Sequence, residues 1–147
     1  MAIRNIVVEP DELLRKKSKV VENIDEKVLE LIDDMVETMY KNNGVGLAAV
    51  QVGILKRIAV VDIGEGPVVL INPEIVYSSG KQIGNEGCLS IPSQFGKVKR
   101  PKKIVVKTLD KQGKEQEIEA RNFLARAMCH EIDHLDGILY TDKLEEE

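Results

Sequence analysis

Residues 130 to 134 read His-Glu-Ile-Asp-His. Two imidazoles at this spacing fall on one face of a helix, one turn apart, with the Glu131 carboxylate about 100° round from them. Such a pattern suits a bound metal ion with a general base beside it. Two core histidines satisfied by hydrogen bonds would have the same spacing. His130 and His134 are, however, the only histidines in the chain, and both lie on one helix, which favours the metal.

An ion needs a further protein ligand. One class of zinc protease continues the motif with His-x-x-Gly-x-x-His. Gly137 is in place here, but Tyr140 stands where the last histidine would be. A class that uses a Glu on a later helix needs more chain than the 13 residues from Leu135 to Glu147. The third ligand must then lie upstream, and with no other histidine a thiolate is the natural candidate. Cys129 adjoins His130 and cannot share its helix face; it reads as a small packed hydrophobe. That leaves Cys88, in Glu-Gly-Cys-Leu-Ser, where Gly87 and Pro92 predict an irregular segment able to aim the sulfur. Cys88, His130 and His134 leave a fourth position open, as in catalytic rather than closed structural zinc sites.

The elements that must carry these groups are legible in part. Val28, Leu31, Ile32, Met35, Val36 and Met39 repeat at i, i+3, i+4, i+7 and predict a one-sided helix over 26–42, capped by Asp25 and followed by Gly44. The β-branched runs 57–63, 67–77 and 103–109 predict strands, and 114–120 one more, paired through a turn at Asp110–Gly113. The last helix is expected over 122–136, stopped by Gly137. Leu124, Met128, Ile132 and Leu135 form one stripe, and Phe123, Ala127, His130 and His134 a second beside it. Two adjacent buried stripes predict a deep position. The expected fold class is therefore α+β, with mostly antiparallel strands packed around a central C-terminal helix that carries the His-Glu-x-x-His motif.

Composition sets outer limits. At 147 residues the chain is expected to form a single catalytic domain over 1–147, long enough to bury a core without disulfides. A net charge of -4 argues against a dedicated nucleic-acid binder. No apolar run suits a signal peptide or a membrane span, so a cytoplasmic protein with no membrane partner is expected. In that compartment a disulfide between Cys88 and Cys129 is not expected. The run at 145–147 predicts a frayed, solvated end. The basic stretch 97–107 reads as a solvated strand face, with a ribosomal RNA contact as the alternative.

Three segments, Gly-Val-Gly-Leu-Ala-Ala-Val-Gln (44–51), Glu-Gly-Cys-Leu-Ser (86–90) and His-Glu-Ile-Asp-His (130–134), together resemble the peptide deformylases, in the family's order and approximate spacing. That resemblance covers nearly the whole chain. It implies removal of the formyl group from formyl-methionyl nascent polypeptides, with a transient ribosome contact at most. The family implies one ferrous ion per chain on Cys88, His130 and His134, with zinc, nickel or cobalt as alternatives in the isolated protein. In that scheme a metal-bound hydroxide attacks the formyl carbon and Glu131 moves the proton to the leaving amine. The resemblance also assigns the Gln51 amide and the Leu89 N–H as donors to the formyl oxygen, and runs Gly44 and Gly46 alongside the substrate backbone.

Helix geometry adds a pocket. Side chains on a helix lean toward its N-terminus, so Phe123 and Ala127 cover the surface just before the metal. With Val45 opposite, they outline an apolar slot for an unbranched chain such as methionine. Glu86 is counted with the substrate-contacting residues. It and Asp133 could instead form an outer layer behind the ligands with Arg100, or be surface carboxylates. Arg126 borders the pocket mouth or lies on a solvated face. Cys129 departs from the family pattern, in which many members carry Gln before the first ligand histidine.

Overall fold

The computed structural model describes residues 2–145. A helix, α1 (Glu26–Lys41), precedes strands β1 (Gly46–Ala48), β2 (Ile58–Val61), β3 (Val68–Ser79), β4 (Gln82–Cys88), β5 (Ile91–Arg100), β6 (Lys103–Leu109) and β7 (Glu115–Arg121). The helix α2 (Asn122–Leu135) follows β7 directly. Short 3-10 turns sit at Glu12–Arg15, Ala49–Val52 and Tyr140–Lys143.

Five strands form one antiparallel sheet in the order β1-β2-β3-β6-β7, and β4 and β5 form a separate antiparallel hairpin. Strand β2 shows why the helices lie where they do. Its residues alternate, and all are buried. Ala59 and Val61 face a cluster containing Met128, Ile132 and Leu135 of α2. Ile58 and Val60 face one containing Leu31, Ile32, Met35 and Met39 of α1. The main sheet is thus sandwiched between the helices, and the hairpin covers the far side of α2. Truncating a fully buried side chain such as Met128 to Ala costs about 2–5 kcal/mol.

The caps follow the sequence. The Asp25 carboxylate accepts from the Val28 N–H at the start of α1. Gly137 closes α2 at φ 75°, and a Cβ there would run into the Arg15 backbone. Asp110 accepts from the Gln112 and Lys114 N–H groups to shape the β6–β7 turn.

Three strands, β1, β4 and β5, lie where the sequence predicts none. β1 is only three residues long. Strands β4 and β5 occupy 82–100, where Gly, Asn and charged residues hide any apolar alternation. Their inward residues include Glu86, Val98 and Arg100. Cys88 therefore ends a strand rather than sitting in an irregular segment, and a register shift between Glu86 and Cys88 turns the chain there. Of the terminal run expected to fray, Glu146 and Glu147 lie outside the described residues. Glu145 is tied down, donating its N–H to Lys97 and pairing with Lys99 at 3.4 Å. The basic stretch is largely matched by acids: Lys103 pairs with Glu119 at 3.0 Å and Lys107 with Glu115 at 3.2 Å.

Candidate metal centre

Ten of the fourteen residues of α2 are buried, among them His130, Glu131 and His134. Their burial follows from the position of α2 between sheet and hairpin. The hairpin delivers Cys88 from the opposite side. Cys88 Sγ lies 3.3 Å from His134 Nε2, which lies 3.2 Å from His130 Nε2. One ligand atom from each of the three residues falls within 4.8 Å of the others. Nδ1 of His130 sits 2.9 Å from Oε1 of Glu86, which leaves the Nε2 lone pair for an ion. The donor set, one soft thiolate and two imidazoles, suits a transition metal.

Cys129 is buried on α2, and burial pushes its thiol up to about 11. It stays a thiol at neutral pH, as a packed hydrophobe should.

Glu131 is 4% exposed, and its Oε1 is buried with no hydrogen-bond partner. Burial raises the carboxyl to about 7. A buried acid without a partner is costly unless something else completes the site. The two imidazoles are pushed in opposite directions: burial and the neighbouring His130 drive His134 well below its ordinary value, whereas His130 goes up. Burial lowers its pKa, but Glu131, Cys88 and Glu86 outweigh that and lift it to about 10. The residues present fit a bound cation.

Glu86 borders the cavity, yet its carboxylate is already committed. Arg100 grips it with Nε at 2.9 Å and Nη2 at 2.8 Å. Arg126 donates to it at 2.7 Å, and His130 takes the remaining place. Burial pushes this acid up, but Arg100 and His130 prevail and hold it at about 2. The third guanidinium nitrogen of Arg100, Nη1, reaches Asp133 at 2.5 Å. Glu86, Arg100 and Asp133 are thus joined in one hydrogen-bonded layer that touches His130 through Glu86. Arg126 is buried within that layer rather than on a solvated face.

Gln51 is 1% exposed on the 3-10 turn after β1. Its Oε1 accepts from the Ala48 N–H at 2.9 Å, which fixes the amide orientation. Its Nε2 then points at Ser90 Oγ (3.1 Å) and Cys88 Sγ (3.5 Å). Leu89 follows Cys88 and packs its Cδ1 against Gly44, where a Cβ would come within 2.9 Å. Gly46 lies against Glu131: a Cβ there would meet Cγ and Cδ of that side chain at 2.8 Å.

A cavity of about 850 Å³ opens over this cluster. Gly44, Val45, Gly46, Phe123 and Ala127 all line it. Phe123 is half exposed at the rim and Ala127 is buried. Phe95, on β5, also lines the cavity and is 77% exposed. Nothing in the sequence flagged it, because β5 itself was not legible. No helix among the described residues is long and apolar enough to cross a membrane.

Comparison with known proteins bears on the same residues. The family model described as polypeptide deformylase matches residues 3–147. A peptide deformylase of Thermoanaerobacter pseudethanolicus is 59% identical over 97% of this chain and 90% of its own length. Peptide deformylase 1 of Clostridium acetobutylicum is 62% identical over 99% of this chain and 97% of its own. Among solved structures, the peptide deformylase of Thermotoga maritima superposes with a TM-score of 0.96 at 43% identity, covering 98% of this chain and 99% of that one. That of Ehrlichia chaffeensis, solved in complex with actinonin, gives 0.96 at 44% identity, covering 99% and 91%. The match spans the hairpin that supplies the sulfur and the helix that supplies the imidazoles, and the chain belongs to the polypeptide deformylase family, a family of enzymes.

Proposed function

We propose that this chain hydrolyses the formyl group from formyl-methionyl peptides, as one catalytic domain over 1–147 acting in the cytoplasm. One divalent ion, ferrous iron in the cell, would be held by Cys88, His130 and His134. The observation that carries the reading is the convergence of these three donors beside the unpartnered Oε1 of Glu131, at the base of an apolar cavity. When bound, the ion supplies Lewis acidity to water and to the formyl oxygen.

The protein's own groups do the rest. Glu131, pressed against Gly46 and shielded from solvent, takes a proton from the attacking water and delivers it to the leaving amine. The Gln51 amide, locked by Ala48, and the Leu89 N–H donate to the oxygen on which charge develops; losing one such donor typically costs about 10²–10³ in rate. Gly44 and Gly46 line the cavity beside these groups, and the peptide backbone would run alongside them. Val45, Phe123 and Ala127 receive the methionine side chain. Contact with the ribosome, where the substrate emerges, would be transient.

Formate release from formyl-Met-Ala tests the reading. Glu131→Gln should retain metal stoichiometry and lose nearly all turnover. A variant that lost metal in proportion to activity would instead make Glu131 a ligand or a support.

A further inference from the structure

The metal site is assembled from two pieces that share no sheet. Cys88 rides on the β4–β5 hairpin, and both histidines ride on α2. Several contacts tie the hairpin down. Gln51 touches its end at Cys88 and Ser90, and Gln82 donates to the Asn122 carbonyl at 2.7 Å. Arg100, on β5, reaches Asp133. Arg126 reaches the other way, from α2 to the backbone of both hairpin strands at once. Its Nη1 donates to Glu86 Oε2 at 2.7 Å and to the carbonyls of Val98 at 3.0 Å and Gly84 at 3.3 Å. Gly84 and Val98 are cross-strand partners.

The contact is close as well as polar. A Cβ on Gly84 would stand 3.1 Å from Nη2 and 3.3 Å from Cζ of Arg126. The guanidinium therefore lies directly on the strand backbone. Arg126 is one helical turn before His130 and 5% exposed. A charge held this deep is kept for its partners, and removing one partner of such a cluster is strongly disruptive.

We propose that Arg126 is a positioning residue: by pinning Gly84, Glu86 and Val98 to the metal helix, it sets how closely Cys88 approaches His130 and His134. Its hydrogen bonds go to the hairpin and to Glu86, not to Cys88, His130 or His134, although its side chain also borders the cavity. Its effect reaches the site through the hairpin and through the orientation of Glu86 behind His130. Partners of this outer layer typically contribute a factor of about 10–100 to metal affinity. This inference rests on the metal reading above.

Cobalt(II)-loaded protein supplies the test, through its thiolate-to-cobalt absorption band and the rate of cobalt release to a chelator. The parent must show the band; a parent without it overturns the metal reading and this proposal with it. Arg126→Met should weaken or shift the band and speed release by about 10–100-fold. Arg126→Lys, which keeps a charge and three donors, should recover part of the loss. Arg4→Met is the control, because Arg4 pairs with Asp34 on α1, away from the site, at 2.8 Å. It should lower thermal stability without changing release. If Arg126→Met does not fold, Arg126→Lys and Gly84→Ala decide, the latter by displacing the guanidinium. Release within about twofold of the parent, with an unchanged band, in the folded variants overturns the proposal.

Discussion

Gly46→Ala is the sharpest test of how Glu131 is held. The added methyl would stand 2.8 Å from Cγ and Cδ of Glu131 and nearer still to the carboxylate. Ordinary contact between such atoms begins near 3.4 Å, so something must shift. The strand offers little room. Gly46 pairs with Val61, Leu47 and Ala48 are fully buried, and Glu131 is itself buried. The side chain must therefore swing by about 1 Å, and a misplacement of that size costs roughly 10² in rate, or about 2.7 kcal/mol. The ligands are untouched, so metal stoichiometry should hold. The assay is kcat for formate release from formyl-Met-Ala, with metal content measured on the same preparation. Gly44→Ala is the comparison. Its methyl would meet the flexible end of Leu89 at 2.9 Å, and its effect should be much smaller. A Gly46→Ala enzyme within threefold of the parent in kcat would refute the reasoning. So would a loss of metal that accounts for the whole loss of rate.

Other outcomes follow from the same geometry. Cys88→Ala should abolish stoichiometric metal binding, whereas Cys129→Ala, which removes a buried neutral thiol, should spare it; full occupancy in the Cys88 variant refutes the ligand set. Ala127→Trp should fill the apolar slot and raise KM for formyl-Met peptides while sparing formyl-Gly peptides; unchanged relative efficiency for the two would put the pocket elsewhere. Asp34 is buried on α1, where burial would raise its pKa, but the Ala2 N–H at 2.7 Å and the Arg4 guanidinium bring it below the ordinary value. A carboxyl with a depressed folded pKa stabilises above its unfolded pKa of about 3.9, and loses that contribution as pH falls through the folded one. Asp34→Asn should therefore cost about 1–3 kcal/mol in urea melts at pH 7, and the gap to the parent should narrow below pH ~4; a gap independent of pH would refute the charge-based account.

What could be read from the sequence depended on which side chains each element buries. Helix α1 and strands β2, β3 and β6 bury apolar residues, so their periodicity is plain, whereas β7 fully buries only Ala120 and is marked by the turn before it. Helix α2 is legible from its two stripes, and its C-terminal end from Gly137. The hairpin is not legible because its buried positions include Glu86 and Arg100, which carry no hydrophobic signal. For the same reason the outer layer was legible only as alternatives. Nothing in the spacing of Glu86, Arg100, Arg126 and Asp133 shows that four charges far apart in the chain meet behind one imidazole. The nearness of Gly46 to Glu131 is likewise a tertiary fact. The motif marks the glycine, and only the packing of β1 on α2 supplies the reason.

The separation of the hairpin from the main sheet has a thermodynamic corollary. An ion bridging Cys88 to His130 closes a ring that contains all of β5, β6 and β7 and half of α2. The donors it joins are far apart along the unfolded chain, so only the folded chain presents them together. Any ion that binds only the native chain also draws the folding equilibrium toward it in proportion to its free concentration over its dissociation constant. The ion that serves chemistry at the cavity floor would then be a structural fastener as well. The hairpin, hydrogen-bonded to no strand of the main sheet, would be the part of the fold whose amide protection depends most on it.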